Sequence, residues 1–443
     1  MRFIFTIFAV VIFGVFTSCD NSNPSSPDDN NDDPFSNGGT ERNMIVVISD
    51  IHLGADLSYA ECKANLPLLT KLLENVRISQ NVKELVIAGD LLDEWFVPAN
   101  IDTYQGKDQN DFVKRIALAN KEVIDALNNI IKEGKILVTY VPGNHDLTIT
   151  AANVESILPG INQARDNIQG LGTYTPASMP QLAVEHGHRY NFFCAPDQIS
   201  NKDIAPGSIM PPGYFFTRIA TLHVVQKALN NGVDPVPGDT MPIITENVNG
   251  GESQQLAYYY WKTWKELMIS LPISNKFSDK VILTNVGGFT ESYSINDLMP
   301  SQETPGGFIE GKLFKEIQDS WYERCKQNKV EVTTPASEAI ALAADYKQTD
   351  IQATREYFMN PKSNKRIVVF GHTHFPEIIQ TVNYKNERAI YANSGTWIDK
   401  NASTANFIVI TPQNASSSSQ TYIKLYNFEK QVVTKMAVDS LRL

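Results

Sequence analysis

Six of the seven histidines in this 443-residue sequence fall in four short segments: Asp50-Ile51-His52, Gly143-Asn144-His145-Asp146, Glu185-His186-Gly187-His188 and Gly371-His372-Thr373-His374. A fifth segment, Gly89-Asp90-Leu91-Leu92-Asp93, carries carboxylates without histidine. Imidazole, carboxylate and the asparagine carbonyl are ligands for borderline divalent metals such as Mn, Fe or Zn, and no thiolate in these segments favours a structural zinc site. Asp50 and His52 are two residues apart, as are His372 and His374, so each pair can turn two ligands toward one site. With Asp90, Asn144 and His186 the set reaches seven ligands. That exceeds the need of one ion and suits two, about 3.5–4 Å apart and sharing a carboxylate.

The elements before these segments read as strands. Met44 to Ser49, Glu84 to Ala88 and Ile136 to Val141 are short β-branched or apolar runs of the kind buried in a parallel sheet, and each leads directly into a polar segment. Helical patterns at Glu61 to Arg77 and Asn110 to Lys132 separate them, the second stopped by Gly134. Alternation of strand and helix implies α/β layering, in which ligands gather at strand ends. Leu182 to Val184 and Arg366 to Phe370 precede the other two histidine segments, and Arg388 to Ala392, Asn406 to Ile410 and Gln420 to Tyr426 read as antiparallel strands. Residues 191–365 have a different texture. Tyr214 to Leu229, Glu252 to Ile269, Ile309 to Gln327 and Ala336 to Phe358 show helical periodicity, the last with Thr334 as N-cap and Pro335 at its first position. The segment is expected to be a mostly helical insertion that caps the site. No internal repeat is present.

Taken in order, Asp50-x-His52, Gly89-Asp90-x-x-Asp93, Gly143-Asn144-His145-Asp146, His186-Gly-His188 and Gly371-His372-x-His374 resemble the full motif set of the calcineurin-like metallophosphoesterases, over about 44–190 and 366–412. The resemblance implies an α/β fold, a four-layer αββα sandwich of two mixed β-sheets flanked by helices. It implies a metal-dependent phosphoric ester hydrolase with two divalent ions: Asp50, His52, Asp90 and His374 on one, Asp90, Asn144, His186 and His372 on the other, and Asp90 bridging. Two such ions bind a bridging water, whose pKa one metal can lower from about 15.7 to about 7, and the hydroxide attacks phosphorus in line. By the same resemblance His145 is the general acid or transition-state stabiliser, and Asp93 orients it by fixing its tautomer.

Other residues have plainer expectations. His188 is placed behind the ligands or on the wall of the site, Asp146 near the substrate or holding its own turn, and His223 in a structural role within the insertion. Asn393-Ser394-Gly395 resembles the family's turn beneath the metals and is read as scaffold. Trp95 and Pro376 resemble the UDP-diacylglucosamine hydrolases of this family, but those are cytosolic and no substrate is carried over. Tyr258, Tyr259, Tyr260, Trp261 and Trp264, at helical spacing, are read as core. The expected partner is a small phosphorylated substrate, a monoester, diester or pyrophosphate. The alternative is a non-catalytic surface lipoprotein that uses the fold to bind a ligand; none of the seven ligands is missing, which favours the enzyme.

Composition sets the frame. With 42% apolar and 20% charged residues the chain reads as globular, and its net charge of −11 leaves no basic track for nucleic acid. The N-terminus reads as a lipoprotein-type signal over 1–18: Arg2, then the apolar run Phe3 to Phe16, too short to span a bilayer, then Thr17-Ser18 before Cys19 as the lipidation site. Residues 19–42 are expected to be a disordered acidic tether, and 43–190 with 366–443 the metallophosphoesterase domain. Without signal and tether acids the net charge over residues 40–443 is −7, an ordinary solubility charge. The sequence therefore implies an exported protein of the cell envelope, held by a lipid anchor to the outer membrane or surface on its periplasmic or extracellular face. Cys62, Cys194 and Cys325 can form one disulfide at most and are read as small buried hydrophobes.

Overall fold

In the computed structural model the described residues are 33–246, 250–343, 345, 347–413, 420–430 and 432–443; the signal expected at 1–18, Cys19 and most of the tether lie outside them. The strands are β1 (Met44–Ile48), β2 (Val82–Ala88), β3 (Leu137–Val141), β4 (Asn162–Gln163), β5 (Leu182–Val184), β6 (Ile282–Leu283), β7 (Ser292–Tyr293), β8 (Ser301–Gln302), β9 (Ile309–Glu310), β10 (Ile367–Phe370), β11 (Glu377–Val382), β12 (Arg388–Asn393), β13 (Asn406–Thr411), β14 (Thr421–Glu429) and β15 (Val432–Leu441). The helices are α1 (Leu66–Ile78), α2 (Gln109–Ala119), α3 (Lys121–Glu133), α4 (Ala151–Ile157), α5 (Pro212–Leu229), α6 (Gly251–Ser270), α7 (Ile295–Leu298), α8 (Ile317–Gln327), α9 (Ala336–Leu342) and α10 (Gln348–Ala353).

Period-two alternation sorts the strand residues into layers. One sheet runs β15-β14-β13-β1-β2-β3-β4 and the other β11-β12-β10-β5, both mixed. Ile45, Val47, Val86, Ala88 and Val141 of the first face Leu182, Val184, Ile367, Val369, Ile390 and Ala392 of the second, forming an apolar layer between the sheets. The alternate residues Val46, Ile48, Leu85 and Ile87 turn the other way, onto Leu69, Leu72, Leu73 and Val76 of α1 and Val123, Leu127 and Ile130 of α3. Val368, Phe370 and Tyr391 leave the second sheet toward the insertion's core. These are the four layers, helix, sheet, sheet, helix, that the motif resemblance implies.

Several boundaries differ from the periodicity. The helix expected over 110–132 is two, because Asn120 turns its side chain back on Ile116 O (2.9 Å) and also donates to Gly54 O (2.9 Å). The helix expected from Glu61 starts at Leu66: the Asp399 carboxylate, distant in sequence, accepts the N–H groups of Lys63, Ala64 and Asn65 at 2.8–3.0 Å and holds them outside the helix. The strand expected as antiparallel over 388–392 is parallel to β10 and antiparallel to β11. Residues 33–42 join the body instead of the tether: Phe35 is buried, stacks 5.7 Å from Phe407, and accepts Ser79 Oγ at its carbonyl. Arg42, donating to Val82 O and Ser79 O, and Asn81, donating to Gly39 O and Glu41 O, tie the rest of the segment down.

The regular structure of the insertion is mostly helical, with two added hairpins, β6-β7 and β8-β9. Ile309–Glu310 belongs to the second hairpin, so α8 starts later than its pattern suggests. The segment 336–358 breaks into α9, α10 and a π-helical turn, Thr354–Phe358. Tyr260, Trp261 and Trp264 are buried, Trp264 lying 4.0 Å from Phe216, whereas Tyr259 is exposed. The insertion grips the main body through Arg218 of α5, a buried cation whose guanidinium donates to the carbonyls of Val97 and Ile101 there and to that of Leu283 within the insertion. His223 lies on the same helix with Nδ1 2.7 Å from Pro272 O. Cys62, Cys194 and Cys325 are free thiols, and Cys62 and Cys325 are buried. Among the described residues no helix is long and apolar enough to cross a membrane.

Candidate metal centre

Five strands deliver their C-terminal ends to one place. β1, β2 and β3 are parallel in the first sheet, β5 and β10 in the second, and each runs straight into one of the five polar segments. Sharp backbone turns then aim the side chains: Asp50 (φ 51°), His52 (54°), Asp90 (51°), His372 (71°) and His374 (58°) all adopt the left-handed region. For non-glycine residues that conformation is strained, and strain of this kind clusters at functional sites. Close approach explains two of the motif glycines. A Cβ on Gly143 would stand 2.1 Å from Asp90 Oδ1, and one on Gly371 2.4 Å from Asp50 Oδ2.

The seven proposed ligands form two adjoining groups. In one, His52 Nε2 lies 3.3 Å from His374 Nε2 and 3.6 Å from Asp90 Oδ2, and His374 Nε2 lies 3.2 Å from Asp50 Oδ1. In the other, Asn144 Oδ1 is 3.0 Å from His186 Nε2 and 2.9 Å from His372 Nδ1, and His186 Nε2 is 3.1 Å from Asp90 Oδ2. Asp90 Oδ2 is common to both. Asp50 and Asp90 are buried to 0% and 1% exposure, and among the described residues neither pairs with lysine or arginine. Two buried carboxylates without a fixed cation are costly. Their nitrogen and oxygen neighbours, converging without a thiolate, fit a divalent cation.

The charges respond to this crowding. Burial raises the Asp90 carboxyl, but the His186 and His145 imidazoles beside it outweigh that and hold it well below the usual range. Burial depresses His52 and His186, yet their carboxylate neighbours win, Asp93 and Glu61 for the first and Asp90 and Asp50 for the second, pushing them up to about 10 and about 9. His372 goes the other way, to about 3, through burial and then the charge of His186. Without metal, the imidazoles nearest the carboxylates thus hold protons where a cation would sit.

Asp93 stands behind the first group. Its Oδ2 is 2.9 Å from His52 Nδ1, and its Oδ1 is 2.9 Å from His145 Nδ1 while accepting Trp95 N and Phe96 N at 3.0 and 2.7 Å. His145 is fixed by its backbone, with N donating to Asp90 Oδ1 (2.8 Å) and O accepting Glu94 N (2.9 Å). The Trp95 ring lies 5.0 Å from the imidazole, and Tyr214 of the insertion meets Trp95 edge-on. Asp146 holds its turn: its carboxylate accepts Gly143 N and Leu91 N. Its pKa rises to about 6 through burial and the nearby Asp90 charge. His188 lies behind the ligands, 5.3 Å from the His186 ring, with Nε2 3.1 Å from Gly170 O. Asn393 donates to Gly371 O (2.7 Å), and Thr396 Oγ1 to Asp50 O (2.8 Å), so the 393–396 turn props both outer ligand segments.

Sequence reasoning missed Glu61. Its Oε2 is 3.3 Å from His52 Nδ1, and with His52, Asp93 and His145 it makes a group close enough to hold a cation. At the head of an expected helix a lone carboxylate carries no spacing signal; the structure puts it in a loop where Asp399 binds its carbonyl and the N–H groups of Lys63, Ala64 and Asn65.

Strand-end histidines, carboxylates and an asparagine converging at one edge of a two-sheet sandwich define a metal-binding class of site. Residues 44–225 match the model of the calcineurin-like phosphoesterase family; the match ends inside the insertion, before His372 and His374. Among solved structures, a single mutant of Vps29 from Entamoeba histolytica is similar at 10% identity, covering 90% of this chain and 99% of that one with a TM-score of 0.29. No curated protein matches the chain.

Proposed function

We propose that the protein is a phosphoesterase that uses two divalent ions, Mn, Fe or Zn, to hydrolyse phosphate monoesters, diesters or a pyrophosphate bond of a small substrate. The observation that carries this reading is the Asp90 carboxylate, whose Oδ2 lies 3.6 Å from His52 Nε2 and 3.1 Å from His186 Nε2, between two ligand groups. Asp50, His52, Asp90 and His374 would hold one ion, and Asp90, Asn144, His186 and His372 the other. When bound, two such ions neutralise the phosphoryl oxygens and lower the pKa of water for in-line attack.

The chain's own residues do the rest. Asp93 holds Nδ1 of His145, leaving Nε2 as the nitrogen that can donate a proton to the leaving oxygen. Burial is the largest influence on His145 and lowers its pKa, but the Asp93 and Asp90 charges and the Asp93 hydrogen bond together outweigh it, so the imidazole sits above its ordinary value and is available as an acid. The His145 backbone, donating to Asp90 Oδ1 and accepting Glu94 N, is held in place, and the Asp93 contact at Nδ1 orients its ring. The insertion, through Tyr214 against Trp95, walls this side and would help select substrate.

The N-terminal pattern supports export and a lipid anchor on Cys19, with the enzyme in the cell envelope, on the outer membrane or surface and facing the periplasm or exterior. The test is Asp90→Ala against a panel of aryl mono- and diesters, nucleotides and phospholipid headgroups. Loss of turnover together with most of the bound metal is the expected result. Undiminished turnover of an aryl phosphate by the variant would sink the mechanism.

A further inference from the structure

Asp93 is asked to do more than one carboxylate usually does. One oxygen serves His52 Nδ1, and the other serves His145 Nδ1 and two backbone N–H groups, so its charge is spread over four donors. An imidazole that binds metal through Nε2 carries its proton on Nδ1, and the partner of that proton orients the ring and strengthens the ligand. The hydrogen bond of His52 Nδ1 goes to Asp93, and a second carboxylate stands within ion-pair distance of it. Glu61 Oε2 stands 3.3 Å from the same Nδ1, and among the described residues Glu61 pairs with no lysine or arginine.

Glu61 is also presented rigidly. Its carbonyl accepts Asp399 N at 2.8 Å, and the Asp399 carboxylate fixes the next three N–H groups, of Lys63, Ala64 and Asn65. The same turn reaches the site from behind, where Trp397 N donates to Asp50 O at 2.9 Å. One short segment, 396–399, therefore sets both Asp50 and Glu61. Side-chain exposure grades outward, from 0% for His52 and 2% for Asp93 to 20% for Glu61, so Glu61 is the solvent-side carboxylate of the group.

We propose that Glu61 is a positioning residue of the metal centre: its carboxylate lies against Nδ1 of His52 as a second negative charge beside the Asp93 hydrogen bond, and so helps to fix that ligand for the ion. This rests on the dinuclear reading above. Glu61 belongs to neither proposed ligand set, so its role runs through His52.

The test uses the whole purified chain, stripped of metal and titrated with Mn2+ against a chelator, for wild type, Glu61→Gln and Glu61→Asp. Glu61→Gln keeps shape and an accepting oxygen but removes the charge. It should weaken Mn2+ binding about tenfold, the lower end of what such partners contribute. The Mn2+ concentration giving half-maximal turnover of an aryl phosphate should rise by the same factor, and Glu61→Asp should bind between the two. Equal Mn2+ affinity in wild type and Glu61→Gln overturns the role of Glu61 while leaving the metal centre intact. A kcat that stays low at saturating Mn2+ with unchanged affinity also overturns it, since the residue would then act on chemistry. Wild type that binds no divalent ion overturns the dinuclear reading itself.

Discussion

Removing the His145 imidazole should separate leaving-group chemistry from metal binding. The variant His145→Ala deletes the contact to Asp93 Oδ1 (2.9 Å) and the face under Trp95, but the two bonds that fix the residue are backbone bonds and survive. The side chain is 12% exposed, so water can enter the space it leaves. Loss of one charge-assisted bond costs about 1.5–3 kcal/mol of stability, a modest fall in Tm. Loss of a positioned general acid costs about 10²–10⁴ in rate, or about 3–5.5 kcal/mol of transition-state stabilisation. That loss should fall on substrates whose leaving alkoxide needs a proton and should be far smaller for a nitrophenyl ester, whose phenolate leaves unaided. The assay is kcat/KM across a series of phosphate esters with leaving groups of rising basicity, at saturating metal. A steeper dependence on leaving-group basicity in the variant is expected. An equal loss for every ester would refute the acid role, and a loss of metal would place His145 among the ligands.

Two further outcomes follow from the same residues. Metal affinity should rise with pH, because the metal-free centre keeps protons on His52 up to about pH 10 and on His186 up to about pH 9. Those protons must leave before the imidazoles can bind an ion, so Mn2+ titrations from pH 6 to 9 should show tightening and proton release, and pH-independent affinity would contradict the assignment. Cys19→Ser should release the protein from membranes into the soluble fraction and abolish incorporation of labelled fatty acid; membrane association unchanged by the substitution would remove the lipid anchor from the account.

The site was more legible than the fold that carries it. Asp50, His52, Asp90, Asn144, His186, His372 and His374 stand out in sequence because strand ends concentrate rare residue types, and the structure brings all seven within one cluster. Strand faces were legible too, since a buried run such as Met44 to Ile48 has few alternatives. Helix ends were not. Asn120 breaks a continuous pattern by a side-chain bond back to its own helix, and α1 is cut short by Asp399, more than three hundred residues away. No local pattern encodes a partner that distant. The hairpins β6-β7 and β8-β9 are two residues per strand, too short for periodicity to register. Glu61 escaped for the reason α1 did: Asp399 holds its loop in place.

The central claim is that Asp90 joins two metal ions in one centre, and metal stoichiometry tests it most directly. Elemental analysis of the metal-loaded protein, alongside Asp90→Ala, should give two divalent ions per chain in the wild type and loss of most of that metal in the variant. A wild type that holds no metal, or a variant that keeps both ions, would contradict the account.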